Sequence, residues 1–477
     1  MRAQSNWSSR GAFILAAAGS AVGLGNLWRF PAEAGTHGGA AFVLVYLACI
    51  ALIGIPLLLA EFVIGRTGRS SAVESTLILA RQSGASPAWA SLAWLGMLAT
   101  FLALSGYTIV IGWVLYFTGQ FAVEFIMAVS HGDPLAGAFE GKSDREVRGM
   151  MSGLFSGPLL LFLLHLFVSA CTAAIVLRGV RAGIEALARW GMPLFFALIV
   201  AIAIYAATVG DLAAATKFLF APDFNLALQP RVISAALGQA FFSLALGGAA
   251  MITYGAYVSR ETSLPGASVT VAGLDTFVAI IAGFAIFPIV FSVGLPPSAG
   301  PGLIFQSMPL AFQTMPAGAL IGLLFFALFF LAGITSSVAM LEVVVAWSCR
   351  RFDIQRKSAT IVLSAVAFCV GLPALLSLNI LSDVRPLFFV PGFRDASWFD
   401  AQFELISRLL LPLAGLITAI FIGWIADRKL VDEQTGLGGR NLLLWRLLVA
   451  WLCPLGLATM LLFGMFPELF GDAGPAS

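Results

Sequence analysis

Charge is what this chain has least of. Only 10% of its 477 residues are Asp, Glu, Lys or Arg, against about 25% in an average soluble domain. A water-soluble globule is excluded on that ground. The net charge of +2 decides nothing by itself; its placement along the chain does. Cysteine is also sparse. Cys49, Cys171, Cys349, Cys369 and Cys453 are scattered through apolar segments or helix ends, with no spacing that suggests a metal site or a disulfide frame. The three histidines are equally scattered and read as structural. No cluster of His, Asp, Ser or Cys carries nucleophile–base logic, so enzyme chemistry is not expected. Arg2 and Arg10 precede an apolar run, but no small-residue cleavage site follows, so no cleavable signal is expected.

What fills the space is apolar length. Hydrophobic residues make up 60% of the chain, and the mean hydropathy is +0.97. A membrane helix needs about 20 mostly apolar residues. Eleven such spans are expected, at roughly 11–34, 39–65, 88–126, 156–177, 187–207, 231–257, 268–294, 319–349, 357–374, 399–425 and 441–465. The fold class is therefore an all-α membrane protein. Residues 301–318 are broken by Pro and Gly and read as a re-entrant or surface-helical hairpin rather than a span. The connections at 128–155, 208–230 and 375–398 read as amphipathic or irregular solvated surface.

Lys and Arg concentrate on cytoplasmic loops. With the N-terminus inside, 17 of the 26 basic residues fall inside: Arg2, Arg10, Arg66, Arg69, Arg81, Arg178, Arg181, Arg189, Arg260, Arg350, Arg351, Arg356, Lys357, Arg428, Lys429, Arg440 and Arg446. An odd span count then puts the C-terminus, with Glu468 and Asp472, outside. The expected home is the cytoplasmic membrane.

One stretch breaks the apolar pattern. Residues 13–31 read FILAAAGSAVGLGNLWRFP, with Gly19, Gly23 and Gly25 inside a membrane-grade segment. Gly costs about 1 kcal/mol in a helix interior relative to Ala. An unwound turn frees backbone groups at membrane depth, which is tolerated where they line a cavity or bind something. The competing reading is a close-packing face, common for small residues in membrane helices. A dinucleotide loop is excluded, because Gly23-Leu24-Gly25 follows no strand. The sixth span repeats the anomaly at 238–249, GQAFFSLALGGA, where Ser243 stands with Gly247 and Gly248. Two interrupted helices five spans apart point to an inverted-repeat transporter with a midplane site. The repeats would be spans 1–5 (11–207) and 6–10 (231–425), separated by a loop at 208–230. A short N-terminal segment (1–10) precedes them, and span 11 with the C-terminus (426–477) is an appendage.

Two more features concern cations. The eighth span holds Thr335-Ser336-Ser337 after Ala332. Such hydroxyls either bond back to their own helix or add to the hard oxygens a cation needs. The seventh span holds Asp275 with no Lys or Arg nearby in that span. An acid in a span is a functional-site hypothesis, and a sodium ion would serve as its partner.

The stretch GSAVGLGNLWRFP, preceded by Trp7-Ser8-Ser9-Arg10, resembles the first transmembrane helix of the neurotransmitter:sodium symporter family in its bacterial amino-acid branch. The resemblance extends over essentially the whole chain. It implies one sodium site at Gly19, Val22, Ala332, Thr335 and Ser336, and a second at Ala21, Asn26, Ser243 and Asp275. Asp275 stands where many members have Asn, and its fixed charge implies that chloride is not required. The substrate is expected between spans 1, 3, 6 and 8. Tyr107 matches the tyrosine that bonds a substrate carboxylate, beside Ser20, Ala21, Gly23, Leu24 and Gly25. Monoamine-carrying members have Asp at the position of Gly23, so Gly there implies a ligand with its own carboxylate. Leu24, Ala103, Phe242, Ala245, Gly248, Ser336 and Met340 line the expected side-chain pocket, with Ser243 beside them. Small and apolar walls favour a large neutral, hydrophobic or aromatic L-amino acid.

The resemblance also implies gates. Arg29 and Phe242 match the outer gate, with Glu404, or else Asp400, as the acidic partner. Phe403 falls on the expected acidic position, and Glu404 with Arg408 can instead pair along one helix. Trp7 matches the inner plug. The usual inner Arg and Asp align with Gln4 and Arg350, for which Arg2 and Asp353 are candidate substitutes. Glu61 and Glu342 read as packing and hydrogen-bonding residues with a role in closure. The expected partners are an amino acid, two sodium ions and the lipid bilayer, with no nucleic acid and a homodimer as the oligomer to look for. A passive channel, a membrane enzyme and a non-transporting amino-acid sensor are the competing classes.

Overall fold

The computed structural model describes residues 7–221, 223–298, 302–390 and 393–465. Among them, nine helices are long and apolar enough to cross a membrane. They are Ala40–Gly68, Pro87–Ser130, Pro158–Leu177, Val180–Val209, Leu264–Ser292, Gly318–Arg351, Arg356–Leu376, Trp398–Ile425 and Gly439–Met465. A tenth is the first span, split into Arg10–Ala21 and Gly25–Thr36 with a bend of 52°. The sixth span falls short of that length because it too is broken, into Pro230–Ser243 and Ala250–Ala256. In chain order these are the eleven expected segments. The sequence termini Arg2, Gln4, Glu468 and Asp472 lie outside the described residues.

Burial sorts the helices. In the third span 72% of the apolar window is buried inside the protein, against 22% in the eleventh and 28% in the fourth. The third span packs along the eighth. The first half of the first span rests on the fifth, seventh and eighth. The interrupted helices are thus enclosed by other helices, where their freed backbone groups find protein partners rather than lipid.

The breaks have local causes. Val22 leaves the helical region at φ −67°, ψ 107°. In the sixth span Ala245, Gly247 and Ala249 have φ of 52°, 73° and 60°. The left-handed region is strained for alanine, so neighbouring contacts hold this turn. The fifth span opens with a π-helical segment, Val180–Glu185.

The connections carry helices of their own. Residues 128–155 contain a helix, Asp144–Phe155, whose Ser143 and Glu146 form a capping box. The broken stretch before the eighth span contains two short helical turns, Leu303–Ser307 and Met308–Thr314. The Phe312 carbonyl accepts from Ala138 N–H at 3.0 Å, so this hairpin is tied to the loop after the third span.

Candidate functional site

The unwound turn of the first span is held from several directions. Asn26 Oδ1 accepts from its own turn, at Gly23 N–H, 3.2 Å away. The Tyr107 hydroxyl accepts from Leu24 N–H at 2.9 Å. Gln239 Nε2 of the sixth span donates to the Gly25 carbonyl at 2.8 Å. The Ser336 hydroxyl stands 3.5 Å from both the Ser20 and Val22 carbonyls. That is the outer limit of a hydrogen bond, so these carbonyls keep most of their capacity for a cation.

Residues expected to form the first sodium site lie together across the first and eighth spans. A Cβ built on Gly19 would lie 3.7 Å from Thr335 Cβ, so the two residues are neighbours across the first and eighth spans. The Thr335 hydroxyl bonds back to the Ala332 carbonyl at 2.9 Å. Ser337 points elsewhere: its hydroxyl bonds Ile334 O at 3.0 Å and Thr172 at 2.9 Å. The Ser336 hydroxyl therefore faces the break with Thr335 beside Gly19, and the Ser337 hydroxyl ties the eighth span to the fourth.

The second set centres on Asp275. Asn26 Nδ2 donates to Asp275 Oδ1 at 2.8 Å and to the Asp275 carbonyl at 3.0 Å. Tyr46 OH stands 3.5 Å from Oδ2. The partner expected for Asp275 from sequence was a cation alone; neutral donors from the first and second spans also hold it. Its carboxylate remains fully buried among groups that carry no positive charge.

Gly23 is crowded. A Cβ there would meet Ser336 Oγ at 2.6 Å and Tyr107 OH at 2.8 Å. Any side chain at this position displaces two hydroxyls. In the sixth span, Gly248 is equally tight, with Thr100 Oγ1 2.8 Å from a built Cβ. Thr100 donates to the Gly248 carbonyl, and Gly247 N–H donates to Glu61 Oε1 at 2.7 Å. These supports were the least legible from sequence. Thr100, Gln239 and Tyr46 are polar residues in apolar helices, a signal that was present, but their partners are set by tertiary packing.

A cavity of about 390 Å³ descends to this site. Its lining includes Leu24, Gly25, Tyr107 and Phe242 at the bottom, and Arg29, Glu33, His37, Phe403 and Glu404 higher up. Ala103, Ala245, Gly248, Ser336 and Met340 are outside this lining. Arg29 lies over the Phe242 ring, 4.9 Å from its centroid. Its ion pair is with Glu33, at 3.3 Å, while Glu404 pairs with Arg408 at 3.0 Å. Of the two pairings the sequence offers for Glu404, the one with Arg29 is not made here and the one with Arg408 is. Each residue has a partner one helical turn away, the geometry favoured for such pairs.

The opposite mouth is shut. Trp7 Nε1 donates to the Tyr254 carbonyl at 3.2 Å, and Trp7 N–H to the Tyr257 carbonyl at 3.2 Å. The Trp7 ring packs edge-on against Tyr254 and Tyr257. Glu342, read from sequence as a packing and hydrogen-bonding residue with a role in closure, is also one half of an ion pair: Arg356 bonds it, and Tyr257 OH donates to it at 3.1 Å. Asp353 sits exposed in the turn after the eighth span, with φ of 49°.

The model of the sodium:neurotransmitter symporter family matches residues 4–127 and 149–467. A sodium-dependent transporter of Bacillus subtilis, YhdH, is 33% identical over 96% of this chain and 96% of its own. A sodium-dependent transporter of Haemophilus influenzae is 29% identical, over 96% and 98%. The crystal structure of MhsT in complex with L-phenylalanine superposes with a TM-score of 0.85 at 41% identity, covering 97% of this chain and all of that one.

Proposed function

Because the chain belongs to the sodium:neurotransmitter symporter family, we propose that it imports a bulky neutral L-amino acid with two sodium ions by alternating access. The chain is a multi-pass, sodium-dependent membrane transporter, not an enzyme. The observation that carries the finer reading is the Gly23 corner. Gly23, Leu24, Tyr107 and Ser336 meet there with no cationic or acidic side chain among them, below a cavity whose lining joins Phe242, Val110 and Phe403 with the ionic groups Arg29, Glu33 and Glu404. A zwitterion places its carboxylate against the Tyr107 hydroxyl and the free backbone of the turn. Its side chain then lies toward Ala103, Ala245, Gly248 and Met340, where a charge would find no partner. That MhsT was crystallised with L-phenylalanine supports an aromatic or large apolar side chain.

One sodium ion sits among the Gly19, Val22 and Ala332 carbonyls and the Thr335 and Ser336 hydroxyls. The other sits among Ala21, Asn26, Ser243 and Asp275, where the Asp275 carboxylate supplies the fixed negative charge. Chloride is then unnecessary. The N-terminus is cytoplasmic, so the open cavity at Arg29 faces outward and the Trp7 plug faces inward. Each charge crossing 100 mV supplies about 2.3 kcal/mol. Two sodium ions with a zwitterion supply roughly 4.6 kcal/mol, enough for more than 10³-fold accumulation.

The test is uptake into proteoliposomes loaded with potassium and diluted into sodium, with labelled neutral amino acids. Sodium-dependent accumulation of a bulky neutral amino acid, unchanged when chloride is replaced, is expected. Loss of uptake on chloride removal at constant sodium would overturn the role of Asp275. Tight binding without accumulation would point to a sensor instead.

A further inference from the structure

On the Trp7 side two residues meet that neither the substrate corner nor the ion sites use. Ser8 lies in the segment before the first helix and is exposed. Glu185 closes the π-helical segment Val180–Glu185 of the fifth span and is buried. Ser8 N–H donates to Glu185 Oε2 at 3.1 Å, and the Ser8 hydroxyl donates to Oε1. Both oxygens of one carboxylate are thus taken by a single residue of the N-terminal segment.

The fifth span is placed to feel this contact. Gly183 abuts the end of the fourth span so closely that a Cβ would stand 2.1 Å from the Ile175 carbonyl oxygen. The π segment is therefore braced on one edge and tied to the N-terminal segment at Glu185. Two turns further on, Met192 fills the space that Gly19 leaves, with Sδ 3.1 Å from a Cβ built there. One helix thus connects Glu185 to the wall of the Gly19–Thr335 cradle. Widened π turns are common at functional sites. On the other side of Ser8 lies a cavity of about 390 Å³ lined by Trp7, Arg10, Ser259 and Glu261, which leaves room for the segment to move.

We propose that Ser8 and Glu185 form the inner latch of this transporter, a positioning pair that ties the N-terminal segment to the fifth span while the inner mouth is shut and parts when it opens. The latch rests on the transport reading above. A hydroxyl and an N–H on a carboxylate suit the task. Such charge-assisted bonds are stronger than neutral ones, yet parting Ser8 from Glu185 separates no pair of opposite ions.

The experiment is hydrogen exchange of the full chain in sodium-containing proteoliposomes, followed on peptides covering residues 180–192. Ser8→Ala should raise exchange there about tenfold, the factor that 1.4 kcal/mol represents, and Glu185→Gln should raise it in the same direction. Ser8→Thr should restore the wild-type value. Ser9→Ala removes the neighbouring hydroxyl that caps Ala12 N–H at 3.1 Å and should leave exchange at 180–192 unchanged. Equal exchange in Ser8→Ala and wild type would overturn the latch, and so would an equal rise in Ser9→Ala, which would mean general fraying. Sodium-driven uptake by the wild type, measured on the same vesicles, separates the two readings. If it is present, a silent Ser8→Ala defeats the latch alone; if it is absent, the transport reading fails first.

Discussion

The first and sixth spans both break in mid-helix, yet their breaks are held differently. Neutral groups surround the first: Asn26, Tyr107, Gln239 and, at the 3.5 Å limit, Ser336. Several of its carbonyls are only loosely taken. The sixth presents an N–H to a buried carboxylate, Gly247 to Glu61, and a carbonyl to Thr100. It also carries the strain, with two alanines in the left-handed region. One break keeps free oxygens and behaves as a site. The other has its Gly247 N–H and Gly248 carbonyl engaged by Glu61 and Thr100, which brace the turn from behind.

The comparison can be broken most sharply at Gly23. Gly23→Ala puts a methyl within 3 Å of two hydroxyls. Overpacking of this kind costs about 1–3 kcal/mol, felt partly as a lower melting temperature, and because its relief turns the Tyr107 and Ser336 hydroxyls aside, substrate affinity should also fall, by up to about 100-fold. Unchanged binding would remove Gly23 from the substrate corner. Glu61→Ala should do the reverse. It strands the Gly247 N–H, at a cost of about 1–3 kcal/mol, visible as a lower melting temperature. The sodium concentration for half-maximal binding should change little. A sodium defect without a stability defect would show that Glu61 acts on the sodium site rather than bracing the turn.

A smaller effect separates three adjacent hydroxyls. Thr335→Ala and Ser336→Ala should each raise the sodium needed for half-maximal uptake by about tenfold, roughly the worth of one hydrogen-bond-scale contact. Ser337→Ala should not, because that hydroxyl is engaged with Thr172. The smallest effect lies at the cavity mouth, just past the first span. Burial pulls the His37 pKa down, but the Glu33 carboxylate, 3.2 Å from Nδ1, outweighs it, and the net shift is upward. A raised pKa makes the protonated form stabilising. That contribution is complete below about pH 6.5 and is lost as pH rises through the raised value. The melting temperature of the wild type should therefore fall toward that of His37→Gln between about pH 6 and pH 9. A pH-independent gap would contradict the pairing.

Most of the fold was legible because apolar length and Gly clusters are local signals. The spans and both breaks lie where the sequence puts them. The contacts across the breaks were not legible. Nothing in the order of residues says that Thr100 reaches Gly248, or that Gln239 reaches Gly25. The sequence did offer Glu404 as a partner for Arg29, and geometry chose Glu33, one turn away on the same helix. Glu342 illustrates the same limit, since its partner Arg356 comes from the start of the next span.

The central claim is that sodium held at the first break is linked to the amino acid held beside it. Linkage requires each ligand to tighten the other. The direct measurement is equilibrium binding of labelled L-phenylalanine to the purified chain across a sodium titration, with potassium keeping ionic strength constant. Binding that rises steeply and with more than first-order dependence on sodium is the expected result. Equal binding in potassium alone would contradict it.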